Sequence, residues 1–245
     1  MSNEVPVSVD QGLSADNARW QFDGSVTDVF DNMLARSIPQ YEVMREAVFE
    51  LGSRFVKPHT PIVDLGCSRG EALAPFVRTF GASNRFIGVE VSPTMLGAAR
   101  ERFAGPITDG FVDIRNLDLR TEYPAEKASV TLAVLTIQFT PIEYRQRIVR
   151  TIFEHTVPGG AFIFVEKVLA STAQLDELFV ERYHAMKTRN GYTTEQIERK
   201  RLALEGVLVP VTARWNEDLL RDAGFRQVEC FWRWLNFAGW VGVRE

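Results

Sequence analysis

Two cysteines and three histidines in 245 residues leave little material for disulfides or metal sites. Two thiols cannot make the framework that staples small secreted domains. Cys67 and Cys230 each sit in an apolar run, the setting of reduced packing residues. His59, His155 and His184 make no ligand spacing with Cys, Asp or Glu, so no metal is expected. No apolar run reaches the roughly 18–20 residues that span a bilayer. The N-terminus, Met-Ser-Asn-Glu-Val-Pro, lacks the basic and apolar regions of a signal peptide. A cytoplasmic protein with no membrane partner is therefore expected. Basic excess is missing too: 28 Lys and Arg against 32 Asp and Glu give a net charge of -4. That leaves no overall field for a polyanion, so no direct nucleic-acid substrate is expected. Repeats and low-complexity tracts are absent. The 45% hydrophobic content suffices for one full-core domain.

What is present centres on Pro61-Ile-Val-Asp-Leu-Gly-Cys-Ser-Arg-Gly70. A short apolar run of buried-strand character ends in Asp64, Gly66, Cys67, Ser68 and Gly70. An Ala-rich stretch with helical spacing (Ala72–Phe80) follows. The two glycines permit a sharp turn and a ligand against main-chain atoms. Twenty residues past Gly70, the run Arg85–Val91 carries Glu90 near its carboxyl end, placed to accept hydrogen bonds from ribose hydroxyls. A dehydrogenase loop would read Gly-x-Gly-x-x-Gly, its glycines serving a pyrophosphate. This one reads Asp-x-Gly-x-Ser-x-Gly, and a carboxylate ahead of the loop suits an ammonium better than a pyrophosphate, which it would repel.

That loop resembles the first motif of class I S-adenosylmethionine-dependent methyltransferases. The resemblance implies an α/β, Rossmann-like class I methyltransferase fold: a seven-stranded, mostly parallel sheet with helices on both faces. The rest of the chain fits this order. Residues 1–19 read as a flexible arm, and Trp20, Phe22, Val26, Val29 and Phe30 mark an ordered start. Residues 20–57 read as a helical lid, with Tyr41 a candidate contact for the cofactor's carboxylate end. Ser92 is placed to cap a helix with Pro93 at its first position. A third strand is expected near Phe111–Ile114. Asp118 follows, where the pattern has an acceptor for the adenine amine. Ala128–Leu135 reads as strand four, ending at Thr136-Ile-Gln-Phe139, where acceptor and sulfonium should meet. Val157-Pro-Gly-Gly160 reads as a turn into strand five, with Glu166 and Lys167 at its rim. Residues 170–215 read as a helical insertion that builds the acceptor pocket or a dimer contact. Its apolar stripes are Leu175, Leu178, Phe179, Tyr183 and Met186, then Ile197, Leu202 and Leu204. Arg226–Trp232 and Leu235–Val243 read as a closing hairpin whose second strand is antiparallel.

Ala35-Arg-Ser-Ile-Pro-Gln-Tyr41, Asp64–Gly70, Thr136–Phe139, Arg189-Asn-Gly-Tyr192, Lys200-Arg201 with Leu204-Glu-Gly-Val-Leu208, and Asn236-Phe-Ala-Gly239 narrow the match. Together they resemble the carboxy-S-adenosylmethionine synthase family, from about Trp20 onward. That family is known to use S-adenosylmethionine and prephenate to make carboxy-S-adenosylmethionine for tRNA wobble-uridine modification. The resemblance implies cofactor contacts at Tyr41, Asp64, Gly66, Cys67, Ser68, Gly70, Glu90, Val91, Asp118, Leu119 and Val134. It implies that Arg201 pairs with the carboxylate on the modified cofactor, a planar fork suited to that partner. Val134 departs from the family's asparagine, and Val209–Asn216 and Phe231–Trp234 also differ. Two activities stay open. One is methyl transfer to a small carboxylate-bearing molecule, such as a 2-oxo acid, leaving S-adenosylhomocysteine. The other is the synthase reaction, in which the cofactor itself is carboxylated. His184, Glu166 and Tyr192 are the candidate general bases. A degenerate cofactor-binding module is a third reading, disfavoured by the complete loop, Glu90 and Asp118. A homodimer is expected from the insertion and the aromatic hairpin.

Overall fold

A computed structural model describes Trp20, the backbone of residues 24–245 and the side chains of Phe30 and residues 32–245. The arm expected over 1–19, Phe22, and the side chains of Val26 and Val29 lie outside this description. Two helices, α1 (Gly24–Ser37) and α2 (Tyr41–Ser53), precede β1 (Pro61–Leu65). Then come α3 (Ala74–Phe80), β2 (Arg85–Glu90), α4 (Pro93–Arg102), α5 (Ala104–Thr108), β3 (Val112–Asn116) and β4 (Ala128–Val134). The chain continues through α6 (Ile142–His155), β5 (Thr156–Leu169), α7 (Ala173–Arg189) and α8 (Thr194–Leu204). It closes with β6 (Val211–Thr212), α9 (Ala213–Ala223), β7 (Gln227–Trp234) and β8 (Phe237–Val243).

Seven strands run in the order β3-β2-β1-β4-β5-β8-β7, and two-residue β6 pairs with the end of β5. Strands β1 to β5 are mutually parallel, while β8 is antiparallel to both its neighbours. This is the expected sheet, with one short strand more. Its continuous apolar strands are covered on both faces, as a parallel sheet requires. Alternation along each strand divides the core. Ile62, Val130, Leu132 and Ile163 pack with Met44, Val48 and Phe76, whereas Val63, Ala133, Phe162 and Phe164 pack with Ile148, Ile152 and Leu220.

Local signals explain the boundaries. The Ser92 hydroxyl accepts the Met95 N–H at the start of α4, with Pro93 next. Thr193 and Gln196 form a capping box that starts α8, and Gly224 at φ 119° stops α9. The Pro-Gly-Gly stretch is absorbed into β5 rather than forming a separate turn. Between Ala128↔Thr156 and Val130↔Ala161 the register slips, so residues 157–160 bulge outward. A Cβ on Gly160 would lie 2.7 Å from the Ser129 carbonyl oxygen. Helix α5 was not foreseen, because Gly105 and Pro106 disguise it. Chain order reverses between β1 and β4, and the carboxyl ends there open onto the site. No helix among the described residues is long and apolar enough to cross a membrane.

Candidate active site

The β1–α3 loop is built on unusual backbone. Gly66 stands at φ 67° and Ser68 at φ 52°. A Cβ on Gly66 would lie 2.6 Å from Thr136 Oγ1, so glycine is required on two counts. The Cys67 N–H donates to the Val89 carbonyl at 2.9 Å, tying the loop to β2. Glu90 ties it again. Its Oε2 accepts the Ser68 N–H at 3.0 Å, and its Oε1 accepts the N–H groups of Val91 and Ser92 at 2.8 and 2.9 Å. Three main-chain donors therefore hold this carboxylate at the rim of a cavity of about 440 Å³. That is within the range of about 300–1,000 Å³ usual for small-molecule sites.

Asp64 lines the same cavity and is buried, and among the described residues its Oδ2 has no hydrogen-bond partner. Burial pushes its pKa up to about 7; nearby Arg45 opposes the rise, while Glu71 and Glu90 add to it. A buried carboxylate oxygen without a donor, beside two further acids, is short of a donor or cationic partner. Arg45 donates from Nη1 to the Tyr41 hydroxyl at 2.9 Å, and both line the cavity. Asp118 is gripped by Arg120 through the backbone N–H and the guanidinium, which lowers its pKa. Cys67 is buried, and burial drives its thiol pKa well above the ordinary range, so it packs rather than reacts.

Ten of the eleven positions implied for the cofactor thus border one cavity: Tyr41, Asp64, Gly66, Cys67, Ser68, Glu90, Val91, Asp118, Leu119 and Val134. Gly70 does not border it. Its φ is 85°, and a Cβ there would lie 2.8 Å from Cζ of Phe103, so it serves the packing behind the loop. The four residues named for the reaction are also placed elsewhere. Glu166 is buried behind the turn at 137–139, where its Oε1 accepts the N–H groups of Thr136 and Ile137 at 3.2 and 2.9 Å. Burial raises its pKa to about 8, against the pull of Arg145 and these donors. Tyr192 is buried with its hydroxyl 3.1 Å from Ser37 Oγ, joining the start of α8 to the end of α1. His184 is half-buried on α7 outside the lining, its pKa lowered by burial and then by Lys187 and Lys167. Arg201 is exposed and pairs with Glu198 at 2.7 and 2.9 Å.

Lys167, Tyr183, Lys200, Gln138, Phe237 and Trp20 form part of the remaining wall. The sequence places Tyr183 in an apolar stripe and Trp20 only at the start of the ordered segment. Helix period explains why Lys200, not Arg201, faces in. At about 100° per residue, Ile197, Lys200 and Ala203 share a face, and all three are buried. Leu202 falls on the opposite side and is 51% exposed, against the stripe expected for it. Leu175 and Leu178 of α7 are likewise exposed, while Tyr183 is buried. Trp232 and Trp240 are buried in the sheet, and Trp215 and Trp234 are half-buried; none of the four lines the cavity. Among the described residues no cluster of three potential metal ligands occurs.

Residues 62–160 match the methyltransferase domain family. Solved structures share the fold. An O-methyltransferase family protein from Burkholderia thailandensis aligns with a TM-score of 0.63 at 19% identity, over 91% of this chain and 61% of that one. Human N-acetylserotonin methyltransferase in complex with S-adenosylmethionine gives 0.60 at 13% identity, over 90% and 55%. Fold and site together define an S-adenosylmethionine-dependent transferase. Two curated relatives narrow this. Carboxy-S-adenosyl-L-methionine synthase of Methylococcus capsulatus is 40% identical over 224 residues, covering 91% of this chain and 93% of that protein. The enzyme of the same name from Wolinella succinogenes is 38% identical over 232 residues, covering 92% and 94%. The chain belongs to the carboxy-S-adenosyl-L-methionine synthase family.

Proposed function

We propose that the protein makes carboxy-S-adenosylmethionine from S-adenosylmethionine, with prephenate, the substrate implied by the family resemblance, as carboxyl source. The observation that carries this reading is a single cavity lined by opposite charges. Asp64, Glu71 and Glu90 stand at the β1 and β2 ends, and Lys167 and Lys200 at the β5 end and on α8. Strand β4 separates β1 from β5, which puts the strands that carry Asp64 and Lys167 about 10 Å apart. A zwitterionic nucleoside and an anionic second substrate fit side by side in such a field.

In this reading Asp64 accepts the cofactor's ammonium, and Arg45 with Tyr41 takes its carboxylate. Glu90 receives the ribose: about four lone-pair sites serve three backbone donors, so acceptor capacity remains. Asp118 accepts from the adenine amine, and Val91 and Leu119 flank the base. When bound, S-adenosylmethionine supplies a methyl group activated by the adjacent sulfonium. The chain's own work is alignment and exclusion of water. Glu166 holds the turn that carries Gln138, Arg145 fixes the same turn through the carbonyls of Gln138 and Thr140, and Phe237 and Tyr183 wall the second-substrate side.

Incubation with S-adenosylmethionine and prephenate, followed by mass analysis, tests this. A cofactor product heavier by one carboxyl group is expected. Absence of that product, with a methylated small acid and the lighter S-adenosylhomocysteine in its place, would support methyl transfer; Val134 in the cavity wall is what favours that second reading. We place the protein in the cytoplasm as a homodimer, with the exposed Leu175, Leu178 and Leu202 supporting a self-contact. Light scattering checks the dimer. A lid over 20–57 and an acceptor-side insertion over 170–215 belong to the same reading.

A further inference from the structure

Lys167 closes the cavity wall at the carboxyl end of β5. Its backbone is fixed twice. The N–H donates to Gln138 Oε1 at 2.8 Å, and the residue pairs with Phe237 of β8. Its Nζ lies 5.2 Å from the centroid of the Tyr183 ring, itself buried and part of the lining. Among the described residues no carboxylate forms an ion pair with that ammonium. Asp176 acts on it from farther away, with its Oδ1 engaged by the Ala170 N–H at 2.8 Å. Burial lowers the Lys167 pKa. A half-buried ammonium against a ring face remains short of an anionic partner. The cofactor's own carboxylate is matched elsewhere, by Arg45 beside Asp64.

We infer that Lys167, seated on Tyr183, binds a carboxylate of the second substrate and so sets the enzyme's preference for an acid. This rests on the reading above and adds a residue to it. The site takes a small organic acid whose carboxylate reaches β5 while its body packs on Tyr183 and Phe237.

The test is calorimetric titration of prephenate into the protein–S-adenosylhomocysteine complex, for wild type, Lys167→Met and Lys167→Arg. Lys167→Gln serves as a second neutral variant if Lys167→Met does not fold. Binding of S-adenosylhomocysteine alone should stay within twofold of wild type in each variant, and reports folding. Prephenate affinity should fall at least tenfold in a neutral variant and less in Lys167→Arg. Unchanged prephenate affinity overturns the inference, and the synthase reading then stands if wild type still makes the carboxylated product. A tenfold loss of S-adenosylhomocysteine binding also overturns it, reassigning Lys167 to the cofactor. Prephenate binding that depends on Lys167 without any carboxylated product keeps the subsite and removes only the proposed reaction. No prephenate binding to wild type overturns both.

Discussion

Replacing Asp64 by Asn removes one charge from the cavity with almost no change in shape. In the ligand-free protein this buried carboxyl has a pKa of about 7, so it is about half protonated at neutral pH. An arriving ammonium favours the ionised form, so binding should release the proton that Asp64 still carries. Two magnitudes follow. Between pH 7 and pH 6 the ionised fraction falls from about one half to about one eleventh, and affinity for S-adenosylhomocysteine should weaken about fivefold. At pH 7, titrations in two buffers of different ionisation enthalpy should show release of about half a proton. In Asp64→Asn the charge-assisted hydrogen bond is lost, worth about 1.5–3 kcal/mol. Affinity should then fall roughly 10- to 150-fold, the pH dependence should flatten and proton release should vanish. A variant that binds within threefold of wild type, or keeps the same pH profile, would refute the assignment of the ammonium to Asp64.

Glu90→Ala should abolish detectable S-adenosylhomocysteine binding by calorimetry, because ribose and loop lose one support together. It should also lower the urea unfolding free energy by about 1–3 kcal/mol, since three backbone donors lose their acceptor. Gly66→Ala forces a Cβ against Thr136 at φ 67°, so a stability loss of about 1–2 kcal/mol from backbone strain alone is expected, with ligand affinity reduced more than tenfold. Glu166 has a folded pKa near 8, above its unfolded value of 4.5. The folded state therefore binds the extra proton, and this contribution to stability is full below pH 4.5 and lost as pH rises through 8. The slope is about 1.4 kcal/mol per pH unit inside that window. Glu166→Gln should flatten that part of a urea-unfolding series between pH 5 and pH 8.5; an unchanged slope would place the buried proton elsewhere.

Much of this molecule was legible before any coordinates. Apolar runs located β1, β2, β4 and β5, three of them ending in glycine or acid, because parallel strands buried on both faces carry little else. The β1–α3 loop and Glu90 beside it were legible for a related reason: a loop that must turn at positive φ and keep a carboxylate beside it has few spellings. Gly70 was the exception, since spacing cannot show whether a glycine faces a ligand or, as here, Phe103. The cavity wall that carries Lys167, Tyr183 and Lys200 was harder. It is assembled from β5, α7 and α8, elements far apart in sequence, and its polar members sit on otherwise apolar faces. Tyr183 reads as a packing residue in its stripe. Lys200 and Arg201 are adjacent cations, and only the phase of α8, set by Ile197 and Ala203, decides which one enters. Glu166 was placed at the rim because it ends an apolar run; in the fold its carboxylate turns back to cap the turn at 137–139.

The most direct test of the central claim is a crystal structure of the protein with S-adenosylhomocysteine. The account predicts the ligand's amine on Asp64 Oδ2 and its ribose hydroxyls on Glu90, with Lys167 left clear of the cofactor. A ligand seated away from the carboxyl ends of β1 and β2, or an amine turned from Asp64 with the ribose off Glu90, would contradict it.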